Sequence, residues 1–343
     1  MKINTSILKF KFSGRRPGWG SFSRRCAFTL IEVLVVVSIL SLIILSLMSV
    51  FSSTQRAFRA SVTQTDVLQG GHAAMELITA DLRGAVPSDG LSAGVASPLS
   101  AGGLSGTLAF PGPGINFFVT NSGQSYLPLV QSLPGGTLAR TNLLQWFFVL
   151  GRQNTQWTGV GYFVDTASAT SLYPLYRYYS TTNITVNPAV LFNNFVEAVN
   201  NGYANEALLN TSNNMSHLID GVVHLVVRAY DSNGTLMTNG YTFGVQTPLN
   251  NTWFTPPYPS PGGEVGFVMT SNALPVSLEV QMGVLEDHTL KRAASLNPGL
   301  PVFSQGPAWN SPAQQNYLQL QSGTVQVFRE RLTIQNVDPS AYQ

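Results

Sequence analysis

The sequence predicts an α+β protein in which a long N-terminal helix, membrane-spanning in its first half, precedes a β-rich globular domain with long loops. Residues 33–51 form an uncharged apolar run, and apolar residues recur at helical intervals as far as residue 82. Residues 222–231 and 276–285 alternate apolar and polar side chains, the pattern of a half-buried strand. The chain therefore divides into a basic leader (1–27), a membrane helix (28–52), its continuation (53–83), a loop-rich region (84–140) and a β-rich domain (141–343).

Charge separates the leader from the rest of the chain. Seven of the 18 basic residues and none of the 16 acidic residues precede residue 28, so the remaining 11 bases and 16 acids leave residues 28–343 at about −5. An acidic body argues against a nucleic-acid partner. The single cysteine, Cys26, lies in the leader, so the rest of the chain forms no internal disulfide.

The apolar run has the length of a membrane span. Its 19 residues cover roughly 28 Å as a helix, about the thickness of a hydrocarbon core. The apolar region of a cleaved secretory signal is shorter, about 7–15 residues. The cations before the run predict a single-pass anchor with a cytoplasmic N-terminus and an exported C-terminal domain. Its four serines either pack against neighbouring helices or bond their own preceding carbonyls.

Glu32 is the unusual residue in this segment. A central acid in a bilayer costs roughly 2.5–3.5 kcal/mol and usually has a partner. Glu32 therefore lies at headgroup level, or it pairs with a group from outside the segment. Cleavage between Ala27 and Phe28 would create such a group, because a new α-amine has an unperturbed pKa of roughly 8.

The basic leader, a small residue, the stretch FTLIE at residues 28–32 and the apolar helix together resemble the signal of type IV prepilins. The resemblance implies that a membrane peptidase cuts after Ala27, where the family usually has Gly, and methylates the amine of Phe28. It also implies that Glu32 pairs with the N-terminal amine of a neighbouring subunit during assembly.

Beyond the membrane the helix is expected to continue to a point before Pro87. Its apolar stripe includes Phe51, Phe58 and Val62, and it continues through Leu68, Met75, Ile78 and Leu82. Two glycines at 70 and 71 each weaken a helix by roughly 1 kcal/mol, so a kink or local break is expected there.

After the helix the sequence predicts Gly/Pro/Ser-rich loops with short strands at 108–110 and 115–120. Further strands are predicted at 143–150, 160–164, 175–179, 222–231, 276–285 and within 323–335, with short helical turns at 192–199 and 205–209. Residues 231–234 (DSNG) and 239–240 (NG) are predicted hairpin turns.

This order of elements resembles the large J-type minor pseudopilins of type II secretion systems, whose globular domain is pilin-like. The stretches that carry the resemblance are 75–83 (MELITADLR), 218–222 (LIDGV), 274–276 (LPV) and 287–292 (DHTLKR). The long leader and the Gly/Pro/Asn-rich loops depart from that family. A looser resemblance is to the verrucomicrobial prepilin-type cassette proteins, in particular the kind called cassette protein C.

Four motifs suggest chemistry, and each has a simpler explanation. GLSAG at 90–94 fits the nucleophile elbow around Ser92, but its flanks are loop-like. His72 with Glu76, and the EDH run at 286–288, lack a further metal ligand, and the run is expected to be a solvated turn. Asp231 begins a stretch like a calcium loop without its distant Glu, so a hairpin is favoured. We therefore predict no catalytic residue, metal or cofactor.

The resulting hypothesis is a non-enzymatic structural protein, a minor pseudopilin cut at Ala27–Phe28 and assembled through its helix as a tip or priming subunit. Its expected partners are the prepilin peptidase, other minor pseudopilins, a major pseudopilin and the inner membrane, with the domain in the periplasm. The alternatives are a minor type IV pilin at the cell surface, or an envelope enzyme or binding protein that uses a prepilin-like anchor.

Overall fold

The computed structural model describes residues 29–88, 114–121, 129–132, 139–165, 172–204, 214–237, 252–255, 264–296, 313, 316–317 and 320–342. The chain divides into two compact units, Met1–Arg59 and Ala60–Gln343. The strand predicted at 108–110, the helical turn at 205–209 and the hairpin turn at 239–240 lie outside the described residues.

The predicted long helix is confirmed as α1, Leu30–Arg83. It continues without a break through Gly70 and Gly71, so the predicted local break is wrong. Close packing is the reason for Gly71, because a Cβ there would lie 2.2 Å from Cζ of Phe328. The apolar stripe is buried at Met75, Ile78 and Leu82, whereas Phe51, Phe58 and Val62 are exposed.

Among the described residues, α1 is followed by two further α-helices with defined ends, two short 3₁₀ helices (Ser322–Thr324 and Pro339–Tyr342) and twelve strands. The α-helices are α2 (Ala189–Ala204) and α3 (Asp287–Ser295). The strands are β1 (Ile115–Asn121), β2 (Leu129–Ser132), β3 (Ala139–Asn142), β4 (Gln145–Gln153), β5 (Gln156–Val164), β6 (Leu175–Asn183), β7 (Met215–Ile219), β8 (Val222–Tyr230), β9 (Thr252–Thr255), β10 (Gly266–Thr270), β11 (Ser277–Val284) and β12 (Gln326–Thr333).

The strands form three antiparallel sheets. The large sheet has the order β7-β6-β5-β4-β1-β10-β9, the small sheet has the order β12-β11-β8, and β2 pairs with β3. Strand β1 pairs with both β4 and β10, so it lies inside the same sheet as strands from beyond residue 141. A long helix followed by antiparallel sheets confirms the α+β class.

Gln145 joins the two larger sheets. Its side chain is fully buried; Oε1 accepts a hydrogen bond from the backbone N–H of Val227 at 2.7 Å, and Nε2 donates to the carbonyl of Val265 at 3.4 Å. A parallel bridge between Leu144 and Leu225 lies beside it. Since a buried N–H without a partner is costly, this amide allows the edge of β8 to be buried against β4.

The predicted strands within the described residues are confirmed with shifted ends, and three details were wrong. The helical turn predicted at 192–199 is the longer helix α2. Residues 286–288 were expected to form a solvated turn, but they form the start of α3. The side chains of Thr289 and Leu290, which follow directly, are buried and hold this helix against the core. Strands β8 and β11 are buried on both faces, not one.

The apolar residues form two clusters. One lies between the last turns of α1 and the sheets and includes Ile78, Leu82, Phe147, Val227 and Val280. The other is an aromatic cluster between the large sheet and α2, where Phe192 and Phe195 contact Phe148. Both surfaces of the large sheet therefore bury apolar area.

Candidate functional site

The signal region begins α1 with a helix cap. The hydroxyl of Thr29 accepts a hydrogen bond from the backbone N–H of Glu32 at 3.3 Å, and its carbonyl accepts from Val33 N–H at 3.2 Å. Thr29 and Glu32 thus have the Thr-x-x-Glu spacing of a capping box. Glu32 is exposed in the first turn, where a negative charge stabilises the helix dipole.

The residues of the predicted cleavage site, Ala27 and Phe28, lie outside the described residues. Cleavage after Ala27, methylation of Phe28 and pairing of Glu32 with a neighbouring amine therefore remain predictions. The structure places Glu32 three residues after Thr29, the first described residue.

The apolar part of α1 has no partner within the described chain. Its large hydrophobic residues from Leu30 to Phe51 are exposed, and the helix is long and apolar enough to cross a membrane. The hydroxyls of Ser38 and Ser41 donate to the carbonyls of Val35 and Val37, each at 2.8 Å. The hydroxyl groups of these two serines thus find their hydrogen-bond acceptors within the helix itself.

Sequence reasoning missed a partly buried ion pair at the C-terminal end of α1. Arg177 on β6 donates two hydrogen bonds to Asp81, from Nε at 2.7 Å and from Nη2 at 2.9 Å. Tyr162 on β5 donates a third from its hydroxyl to the same carboxylate. Burial and the Asp81 carboxylate raise the pKa of Tyr162, and the hydrogen bonds to Asp81 raise the pKa of Arg177. The arrangement fixes the helix to the large sheet.

A second missed cluster covers the polar face of the small sheet. Glu279, whose side chain is 3% exposed, accepts hydrogen bonds from Arg228 at 2.9 Å and from Arg329 at 2.7 Å. Tyr230 and Gln281 also donate to it, at 3.1 and 2.8 Å. Burial alone would raise the pKa of Glu279, but these hydrogen bonds outweigh it and lower the pKa to about 2.

Arg228 extends this cluster to Glu264, which precedes β10. Its Nε donates to the two carboxylate oxygens at 2.9 and 3.1 Å, and its Nη2 also donates to Oε1. The sequence signal was the alternation itself, because Arg228, Glu279 and Arg331 occupy the polar positions of their strands. The side-chain pairs between these strands could not be predicted from the sequence, because the order of the strands in the sheet was unknown.

The motifs discounted on sequence grounds have structural roles or lie outside the described residues. Ser92 is one of the residues that the structure does not describe. His72 packs edge-on against Phe328, with ring centroids 5.1 Å apart. Asp231 forms a tight turn, as its carboxylate accepts from the N–H of Asn233 and Thr235 and the chain returns to pair Leu236 with Tyr230. Across the described ranges, no group of three or more His, Cys, Asp or Glu side chains is placed to hold a metal.

Comparison with known proteins identifies the class of the N-terminal region. Residues 22–48 match the family model described as "Prokaryotic N-terminal methylation motif", a stretch that includes Ala27, Phe28 and Glu32. The searches of curated proteins and of solved structures found no match. The motif indicates a type IV pilin-like or pseudopilin-like precursor, and it points to a structural protein of the pilin type.

Proposed function

We propose that this protein is a structural minor pseudopilin, cut between Ala27 and Phe28 and assembled through α1 into a pseudopilus like that of type II secretion systems. The observation that carries the proposal is the methylation motif at residues 22–48, which overlaps the exposed first turn of an unpartnered apolar helix. The prepilin peptidase, other minor pseudopilins and a major pseudopilin are its proposed partners. The inner membrane holds the precursor, with the β-rich unit in the periplasm.

Charge pairing explains why an acid occupies position 32. Cleavage after Ala27 releases an α-amine that is cationic for much of the time at neutral pH. Inside a bilayer a lone carboxylate is costly, so the amine of a neighbouring subunit lowers the free energy of Glu32 as the helices associate. The residues that follow are apolar and exposed, which suits lateral contact between helices.

The capping geometry offers a competing explanation, and one substitution separates the two. A capping box accepts Gln as well as Glu at its fourth position. Glu32→Gln therefore retains the helix start but removes the charge. If Glu32 acts by pairing, the Gln variant is cleaved normally and fails to enter the filament; if it acts by capping, the Gln variant assembles as the wild type does.

The experiment is mass spectrometry of the mature N-terminus together with a filament pull-down in the native host. Wild-type protein is expected to begin at a methylated Phe28. The matched control is Asp66→Asn, which removes an exposed carboxylate farther along the same helix and is expected to assemble. Uncut wild-type protein, or assembly of the Gln variant, contradicts the proposal. Recovery of the protein from surface-sheared pili would instead favour a minor type IV pilin.

A further inference from the structure

Residues 231–235 form an exposed hairpin tip directly after β8. The N–H of Gly234 donates to the carbonyl of Asp231 at 3.0 Å, and the N–H of Asp231 donates to the carbonyl of Thr235 at 3.1 Å. Gly234 has a φ of 76°, so the tip is a type I turn followed by a glycine in the left-handed region. Asn233 and Gly234 are exposed, and a Cβ on Gly234 would meet no atom within 4 Å.

The side chain of Asp231 closes this tip. Its Oδ1 accepts hydrogen bonds from the N–H of Asn233 at 2.9 Å and from the N–H of Thr235 at 2.7 Å. With the two backbone hydrogen bonds, all four hydrogen bonds of the tip therefore involve Asp231. Loss of this one side chain would remove half of them.

The tip also places a reactive dipeptide in solvent. Glycine has no Cβ, so the backbone nitrogen of Gly234 is open to approach by the side-chain amide of the residue before it. In the described part of the chain no hydrogen bond holds the side-chain amide of Asn233. The carbon Cγ of Asn233 is therefore able to reach the nitrogen of Gly234 by rotation of its own side chain.

The closed turn restrains this reaction. While the N–H of Gly234 donates to the carbonyl of Asp231, its nitrogen cannot lose its proton and attack. Attack therefore needs the turn to open, and exposed loop tips open locally at a small cost in free energy. The rate of reaction is then the rate of the open dipeptide multiplied by the fraction of molecules whose turn is open.

We propose that Asn233 is a site of spontaneous deamidation, with water as the only co-reactant, and that Asp231 limits its rate by holding the turn closed. The nitrogen of Gly234 attacks Cγ of Asn233 and forms a cyclic succinimide. The proton of that nitrogen leaves with the side-chain NH₂ group as ammonia. Water then adds to one of the two ring carbonyls and breaks its bond to the ring nitrogen, which leaves either aspartate or isoaspartate.

Either product changes the tip permanently. Both carry a new carboxylate beside that of Asp231, where like charges repel. In isoaspartate the main chain runs through Cγ and gains one carbon, so the four hydrogen bonds of the tip no longer fit together. The reaction goes beyond the proposed assembly role and does not depend on it.

The test incubates the full-length chain in detergent micelles at neutral pH and follows peptides by liquid chromatography and mass spectrometry. Asn233 is expected to convert to aspartate and isoaspartate, which separate on the column. The matched control within the chain is Asn154, which is also exposed in a hairpin turn but precedes Thr155. A β-branched side chain obstructs the following nitrogen, so Asn154 should remain an amide. In urea, where the turn is open throughout, Asn233 should convert faster than in the folded protein.

Variants of Asp231 separate its hydrogen bonds from its charge. Asp231→Ala is expected to speed conversion of Asn233 about five- to thirtyfold, the factor by which the loss of two hydrogen bonds shifts the opening of the turn. Asp231→Asn retains an Oδ1 acceptor without the charge, so its rate should stay close to that of the wild type. Asp231→Ser, whose hydroxyl closes turns more weakly, should lie between them and replaces the alanine variant if that variant does not fold.

Several results would overturn the proposal. One is an intact Asn233 in the folded protein after the urea-unfolded protein has converted, and another is conversion of Asn233 no faster than that of Asn154. Unchanged rates in the alanine and serine variants would show that Asp231 does not limit the reaction. Equal acceleration by Asp231→Asn and Asp231→Ala would show that charge, and not closure of the turn, sets the rate. None of these results bears on cleavage or on Glu32, so the assembly proposal would stand or fail separately.

Discussion

At the scale of single residues, Glu32 has a local role that the structure shows and a distant role that we propose. The structure shows the local one, in which Thr29 caps the backbone N–H of Glu32. The proposed distant role uses the side-chain carboxylate, which is exposed. These roles are compatible because the cap from Thr29 uses only the backbone N–H of Glu32. The side-chain carboxylate is not needed for that hydrogen bond.

At Gly71, substitution by alanine is expected to destabilise the protein, although helix propensity alone predicts that it would stabilise α1. Alanine in a helix is more favourable than glycine by roughly 1 kcal/mol. At Gly71, however, a Cβ would lie 2.2 Å from the Phe328 ring, so Gly71→Ala must displace a buried aromatic. We expect a net loss of about 1–3 kcal/mol in the free energy of unfolding, measured by urea denaturation of the protein in micelles.

The adjacent glycine provides the control for this prediction. A Cβ on Gly70 would approach only the side chain of Ile219, at 2.9 Å from Cδ1 and 3.6 Å from Cγ1, and Cδ1 is the flexible end of that side chain. Gly70→Ala is therefore expected to be neutral or stabilising. Equal stability of the two alanine variants would show that the contact with Phe328 does not determine the choice of glycine at residue 71.

The two glycines also show which residue-level features the sequence reveals. Helix propensity is local, so the sequence predicted a weak point at residues 70 and 71. The reason for Gly71 lies at Phe328, more than 250 residues away in the chain. Only a three-dimensional contact explains why a residue that weakens the helix is present there.

At the scale of elements, β8 and β11 show the limit of alternation as a guide. Their period-two pattern predicted strands correctly, and it predicted one solvated face incorrectly. The polar face is buried because Arg228, Glu279 and Arg329 satisfy one another across three strands. Burial of charges requires paired partners, and partners on other strands are invisible without the strand order.

The Glu279 cluster predicts a specific acid sensitivity. The pKa of Glu279 is lowered from its ordinary value of 4.5 to about 2, so its ionised form stabilises the fold above about pH 4.5 and this contribution disappears as the pH falls towards 2. Glu279→Gln should lower the free energy of unfolding at pH 7, and its deficit relative to wild type should shrink between pH 4.5 and pH 2. Urea titrations at several pH values measure this difference.

Glu330 is the matched control for this pH dependence. It lies on β12 in an exposed ion pair, so Glu330→Gln should change the free energy of unfolding little. A Glu279 deficit that stays constant from pH 7 to pH 2 would contradict the role of the hydrogen bonds in holding its carboxylate ionised.

The packing of α2 against the large sheet provides a second prediction at this scale. Gly161 has no Cβ because Phe195 occupies the space, and an added Cβ would lie 2.3 Å from its ring. Gly161→Ala should destabilise the protein by about 1–3 kcal/mol. In a Phe195→Ala background the same change should cost much less, since the ring is gone, and a double-mutant cycle of thermal unfolding measures the coupling. Additive effects would contradict the close contact.

At the scale of the whole molecule, the sequence predicted the features that depend on neighbouring residues. The signal motif, the helix from Leu30 to Arg83 and most strands follow from charge, hydropathy and period. Strand order, the joint at Gln145 and both charge clusters depend on pairings between distant segments. The Asp81–Arg177 pair illustrates this, since each residue alone is an ordinary polar residue in a helix or a strand.

The same pair determines how firmly the end of α1 is held in the globular unit. The side chains of Arg177 and Asp81 are only 18% and 14% exposed, and Asp81 accepts a further hydrogen bond from Tyr162. Asp81→Asn leaves a partly buried arginine without its counter-ion, so we expect a loss of about 3 kcal/mol in the free energy of unfolding. Hydrogen exchange should also accelerate in the last two turns of α1, where the amides lose their anchor.

Arg83 is the control from the same helix end, and it makes the prediction specific. Its ion pair with Glu330 spans 3.5 Å between side chains that are 59% and 40% exposed. Arg83→Gln should therefore cost less than about 1 kcal/mol and leave hydrogen exchange unchanged. If Asp81→Asn and Arg83→Gln lower the free energy of unfolding equally, the difference in burial does not determine how much the two ion pairs stabilise the protein. If Asp81→Asn leaves exchange in α1 unchanged, apolar packing of Ile78 and Leu82 alone holds the helix end.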